Sequence, residues 1–304
     1  MTKPSFKRIF TALALFFATI AGIIFIAASL IVIRYEMENQ FFSLFDEFDE
    51  GYLEDSSNTY PEDEDYQEQS YCSIMGVMLT GELTTYDISS ELAEGELVPD
   101  TTSADYITWA IKDAEMTEGV SAIILEVDSY GGSGVAGEEI ATALKTAKKP
   151  TVVVIRDVAA SAAYWASTGA DYIVASAVSD IGGIGVTLSY LDYSQKNQKD
   201  GITYIELNSA KYKDAGDPNR PLTTEEKDYF QRDLDIMHNY FVKAVAENRK
   251  LDIEKVKQLA DGSTMLGQMA LNNGLIDKIG GQAEAIQYFI DKGVITEPQE
   301  VCWY

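Results

Sequence analysis

The stretch Thr151 to Val186, TVVVIRDVAASAAYWASTGADYIVASAVSDIGGIGV, places a serine where it could act as a nucleophile. A β-branched run, Thr151 to Ile155, predicts a buried strand. It gives way to the small residues Ala159, Ala160, Ser161, Ala162 and Ala163, and then to the helix-compatible Tyr164 to Thr168. Strand, tight turn with a serine, then helix is how a hydroxyl is held at the rim of a parallel sheet. The Oγ and the next backbone N–H then aim at one point. Alone this pattern is weak, because a small serine is more often a packing residue. Two further apolar runs follow, Tyr172 to Ala175 and the glycine-broken Ile181 to Val186, the latter a wall for any cleft beside the serine.

A nucleophilic serine needs a base. The chain has one histidine, His238, in the middle of a predicted long helix among Asp233, Asp235 and Tyr240. Nothing local aims it at the serine turn, so it reads as a surface or packing residue rather than as part of a Ser–His–Asp triad. A lysine can serve instead, where desolvation disfavours its ammonium and it hydrogen-bonds the serine hydroxyl. Periodicity does not choose among Lys196, Lys199, Lys211 and Lys213. Gly131 and Gly132, at the end of another apolar run, could supply backbone N–H groups or form a plain strand-to-helix turn. No cluster of Cys, His or Asp predicts a metal site, and no cofactor is expected. Cys72 and Cys302 could join the two ends outside the cytoplasm, although two cysteines are not a disulfide framework.

The elements that must position these residues alternate. Strands are predicted at Ser73 to Thr80, Val120 to Val127 and Thr151 to Ile155, with helices at Ser103 to Met116 and Val135 to Lys148 between them. That order implies βαβ units and a mostly parallel sheet, an α/β fold covered on both faces. Beyond Val186 the pattern predicts a helix at Ser189 to Lys199, a short strand at Thr203 to Leu207, and a polar loop from Asn208 to Pro221. A long helix then runs from Thr223 or Thr224 to about Asn248. Shorter helices follow at Ile253 to Ala260, Gly267 to Asn273 and Gln282 to Ile290. No internal linker interrupts residues 71–304, which read as one domain.

The first part of the chain is different. Lys3, Lys7 and Arg8 precede an apolar run, 9–33, that ends at Arg34 and is long enough to cross a bilayer as a helix. It outruns the core of a cleaved signal peptide, so it reads as a transmembrane signal anchor. Basic residues before it and acids after it place residues 1–8 in the cytoplasm and the rest outside. Residues 34–70 form an acidic tether. Of the 49 acidic residues, 20 lie between Tyr35 and Ile111, where there is no Lys or Arg. That segment and the net charge of −26 argue against a nucleic-acid partner.

Five stretches together resemble peptidase family S49, the signal peptide peptidase A-like Ser/Lys enzymes of the Clp protease/crotonase superfamily. They are DSYGGSGVAGEEI (Asp128 to Ile140), AASAAYWASTGADYIVAS (Ala159 to Ser176), GGIGV (Gly182 to Val186), NSAKYKDAGDPNRPLTTEEK (Asn208 to Lys227) and DGSTMLGQMALNNGLIDKIGG (Asp261 to Gly281). The resemblance implies a Clp protease/crotonase-like ββα superhelix built of βαβ units. It implies Ser161 as nucleophile, Lys213 as general base with Lys211 as the fallback, and the backbone N–H groups of Gly132 and Ala162 as the oxyanion hole. Ser209 would orient the lysine amine. Peptide substrates, remnant signal peptides among them, and a homo-oligomer are implied as well. The chain departs from the family pattern at Tyr130, where proline is usual, and at Ala162–Ala163, where two glycines are usual; both changes keep the backbone N–H donors. The alternatives are a catalytically silent membrane scaffold of the same family and a crotonase-like acyl-CoA enzyme.

Overall fold

The computed structural model describes residues 72–88 and 100–304. The N-terminal residues 1–8, the apolar run 9–33 and the acidic segment 34–70 lie outside the described residues. Among the described residues, no helix is long and apolar enough to cross a membrane.

The described residues form one compact unit around a mostly parallel sheet. Its strands are β1 (Ile74–Thr84), β2 (Thr101–Ser103), β3 (Ala122–Gly132), β4 (Thr151–Ala160), β5 (Tyr172–Ala175), β6 (Asp180–Gly182), β7 (Thr264–Leu266), β8 (Lys278–Ile279) and β9 (Val301–Trp303). The main order is β2-β1-β3-β4-β5-β8. Two lines of register shift cross it, between Thr80 and Glu82 on β1 and between Val127 and Ser129 on β3. Below that line β4 pairs with β5 through Val152 to Ile155; above it, Val158 to Ala160 turn to β6 instead. The long strands thus bend, and their upper halves carry the glycine turn of β3 and the serine turn of β4 side by side.

Alternation along the strands builds two cores. Ile123, Leu125 and Val127 of β3 face a large core closed by α1 (Ala104–Met116), α2 (Gly134–Thr146), α3 (Ala162–Ser167) and the long helix after loop 201–222. Ile124, Val152 and Val154 face a smaller one. Beyond β6 come α4 (Ser194–Lys199), α5 (Thr224–Asn248), α6 (Ile253–Leu259), α7 (Gly267–Asn273) and α8 (Gln282–Asp291). Phe289 of α8 fills the smaller core.

Two predicted elements are corrected. The helix expected over Ser189 to Lys199 is only α4, and the strand expected at Thr203 to Leu207 is absent. Leu207 is 93% exposed and Ile205 76%, so among the described residues this segment has neither a ladder partner nor a core to pack on. The cysteines are joined: Cys72, just before β1, and Cys302 in β9 form a disulfide with a Cα–Cα distance of 6.1 Å.

Helix α5 begins with a capping box. Thr223 accepts from the Glu226 N–H, and the Glu226 carboxylate accepts from the Thr223 N–H at 2.8 Å. Glu226 is 4% exposed and also takes a bidentate pair from Arg220. Hydrogen bonds from Arg220 first, and from the Thr223 backbone next, pull its carboxyl down to about 2. A depressed carboxyl stabilises the fold above its ordinary value and loses that contribution as pH falls through the folded one. Between about pH 5 and pH 3, Glu226→Gln should therefore lose less melting temperature than the wild type does. Equal slopes for the two proteins would refute a part for this pair in acid stability.

Candidate active site

Ser161 sits between the last residue of β4 and the first of α3 with φ 52° and ψ −128°. For a residue with a β-carbon this is a strained conformation, held only where the surroundings over-determine it. Here they do. The Ser161 N–H donates to the Gly182 carbonyl at 2.8 Å, and the Ser161 carbonyl accepts from Trp165 at 3.0 Å. Helix α3 is itself pinned: the buried Tyr164 donates to the Leu275 carbonyl at 2.9 Å, and Trp165 stacks on Phe241 of α5 with centroids 4.9 Å apart. The side chain of Ser161 makes no cap hydrogen bond to its helix, which leaves its hydroxyl to the cleft.

The glycine turn packs directly on this serine. A β-carbon at Gly131, whose φ is +103°, would lie 2.8 Å from the Ala162 nitrogen and 2.9 Å from Ser161 Cβ. Gly132 pairs with Leu83 of β1, and the Ser133 N–H donates to the Leu83 carbonyl at 2.9 Å. In a parallel ladder Leu83 is then the bonded member of that pair, so the Gly132 N–H points away from β1, towards the β4 side. Ala162 opens α3, so its N–H has no partner within that helix. The Ala162 N–H and the Gly132 N–H on the β4 side thus both belong to the turns that border the serine cleft. The methyl groups that replace the usual glycines are accommodated, because Ala162 and Ala163 are both buried in the large core. Tyr130 is 73% exposed and does not enter the cleft.

Two clefts meet at Ser161. One, of about 450 Å³, is mostly apolar and is lined by Gly132, Val135, Ala162, Trp165, Met237 and Phe241 among others. The other, of about 560 Å³, is more polar and includes Gln231, Asp235, His238 and Asp261. Gly185, Val186 and Thr187 border both, so the glycine-broken run does form a wall. Sequence reasoning missed the apolar lining from α5, although Met237, Tyr240 and Phe241 fall at helical spacing on one face. It also placed His238 away from the site. The ring borders the polar cleft, with its Nε2 buried and without a hydrogen-bond partner.

The structure brings together Ser161, Ala162 and Gly132, but not Lys213. Lys213 is exposed on loop 208–217 and lines neither cleft. Lys211, on the same loop, is paired with Glu225 at 2.7 Å. Ser209 is exposed, and no hydrogen bond joins it to Lys213.

A strained serine at a strand-to-helix turn, packed against a glycine turn, defines a site for acyl transfer on an α/β scaffold. The comparisons narrow the class. The model of Peptidase family S49 matches residues 143–292. A protein of Methanocaldococcus jannaschii provisionally named a protease is 36% identical over 200 residues, covering 65% of this chain and 64% of its own length. An Enterococcus faecium protein provisionally named signal peptide peptidase SppA is 35% identical, covering 62% of this chain and 55% of its own. Protease 4 of Haemophilus influenzae is 28% identical over 84% of this chain and 41% of its own length. The chain thus spans between two fifths and two thirds of these relatives. A solved membrane-bound stomatin-specific protease is similar at a TM-score of 0.45 and 16% identity, over 76% of this chain and 96% of that one.

Proposed function

We propose that the protein is a membrane-anchored serine endopeptidase with a Ser161–Lys213 dyad, acting on remnant signal peptides or other membrane-derived peptides outside the cytoplasm. The observation that carries the reading is the strained Ser161 with the Ala162 and Gly132 donors beside it. Lys213 takes the Ser161 proton as Oγ attacks the peptide carbonyl, and the two N–H groups hold the oxyanion. The lysine then protonates the leaving amine and activates the water that frees the acyl group. The apolar cleft receives a small or apolar side chain of an extended peptide.

Anchoring through the apolar run 9–33 rests on the basic residues before it and the acids after it. An exported body is supported by the Cys72–Cys302 disulfide, a bond of oxidising compartments. Assembly of several copies is supported by the exposed Leu191, Ile202, Ile205 and Leu207 on segment 187–207, which nothing among the described residues covers. A lysine serves as a base only when desolvated, so assembly over this segment is also what brings loop 208–217 onto a serine cleft.

A fluorophosphonate probe tests the dyad. Labelling should disappear in Ser161→Ala and fall at least about 100-fold in Lys213→Ala, the scale of lost general-base catalysis. Labelling that persists in Ser161→Ala would sink the reading, and an unlabelled wild type would favour the silent scaffold.

A further inference from the structure

Lys213 differs from its neighbours in one respect: they are tied down and it is not. Lys211 pairs with Glu225, and the Tyr212 ring stacks on Tyr229 with centroids 5.3 Å apart. The Asp214 carboxylate accepts from the Tyr204 hydroxyl, and the Asp214 carbonyl accepts from Arg220 Nη2 at 2.9 Å. Among the described residues the Lys213 amine has no ion pair or hydrogen bond.

Arg220 is the hub of these ties. Nη1 and Nη2 reach the two Glu226 oxygens at 2.8 and 2.7 Å, and Nε reaches Glu206 at 2.5 Å. A bidentate guanidinium–carboxylate pair fixes the plane of the arginine fork, which leaves the second Nη2 hydrogen for the Asp214 carbonyl. Glu226 lies in the first turn of α5, and later turns of the same helix line both clefts through Gln231, Met237, His238 and Phe241. One rigid element therefore joins the backbone beside Lys213 to the walls around Ser161.

We propose that Arg220 is a positioning residue for Lys213, locking the backbone at Asp214 to α5 so that the lysine is presented in one place. The proposal rests on the Ser161–Lys213 reading. An ammonium at this position keeps the charge but cannot make the fork and the third bond together. Misplacement of a reacting group by about 1 Å costs on the order of 100-fold.

The test uses the full-length enzyme and an internally quenched peptide of small and apolar residues. Arg220→Lys should lower kcat roughly 10- to 100-fold while KM stays within about twofold, since the clefts are untouched. Tyr204→Phe, which removes the hydroxyl that ties Asp214 and Asp217 and leaves the Arg220 fork in place, should shift kcat in the same direction by about threefold. In a Lys213→Ala background neither change should lower the residual rate further. Wild-type kcat in folded Arg220→Lys, or effects that add to Lys213→Ala, would overturn the proposal. If Arg220→Lys fails to fold, Tyr204→Phe decides the matter by the same criteria. A Lys213→Ala enzyme with wild-type kcat would instead bring down the dyad, which separates the two failures.

Discussion

Gly131→Ala is expected to remove nearly all activity while leaving the fold in place. The added carbon would stand 2.8 Å from the Ala160 carbonyl oxygen, 2.8 Å from the Ala162 nitrogen and 2.9 Å from Ser161 Cβ. None of these atoms is the free end of a flexible side chain, so the two turns must move apart. The φ of +103° adds strain for any residue other than glycine. Parting the turns separates the Gly132 and Ala162 donors, and the loss of one such donor costs ~10²–10³ in rate. Peptide hydrolysis and probe labelling should both fall by at least about 100-fold. Gly281→Ala is the control: a β-carbon there meets nothing within 4 Å, and it lies outside both clefts. Activity of Gly131→Ala within tenfold of the wild type would mean that the glycine turn does not support the oxyanion site.

Cys302→Ser should lower the melting temperature of the oxidised protein by roughly 10 °C. The Cys72–Cys302 bond closes a loop with a sequence separation of 230, which spans almost all of the described body. In the chain-entropy view, closing so long a loop restricts the unfolded state by about 5 kcal/mol, and removing a native disulfide costs about 2–5 kcal/mol. At about 2–4 °C per kcal/mol for a domain of this size, the shift is readily measured. Its structural target is β9, a three-residue strand at the outer edge of β1. Reductant should bring the wild type down to the variant and leave the variant unchanged. A wild type insensitive to reductant, or a variant that melts with the oxidised wild type, would refute a stabilising part for the bond.

Much of the architecture was legible because it is written in neighbouring residues. The nearly continuous apolar run Val120 to Val127 and the β-branched run at Thr151 to Ile155 predicted parallel strands, and both are found. Thr223 with Glu226 marked the start of α5 through a contact only three residues long. The serine turn was legible for the same reason, since strand, small residues and helix follow one another directly. Thr203 to Leu207 shows the limit of this logic: its pattern fits a strand, but a strand needs a partner, and none is near among the described residues.

By itself, then, the sequence determined the α/β class, the serine turn and its place after a parallel strand, because these depend on local periodicity and local backbone preference. Only the tertiary structure decided the rest. It set Gly131 against Ser161, turned the Gly132 N–H towards the β4 side, paired Cys72 with Cys302, and gave the serine two unlike clefts walled by α5. It also showed Lys213 standing free on a loop bolted to α5 rather than beside the serine. The physical reason is that each of these contacts joins residues tens to hundreds of positions apart. Their meeting depends on strand order, register shifts and helix packing, which no single stretch of sequence records.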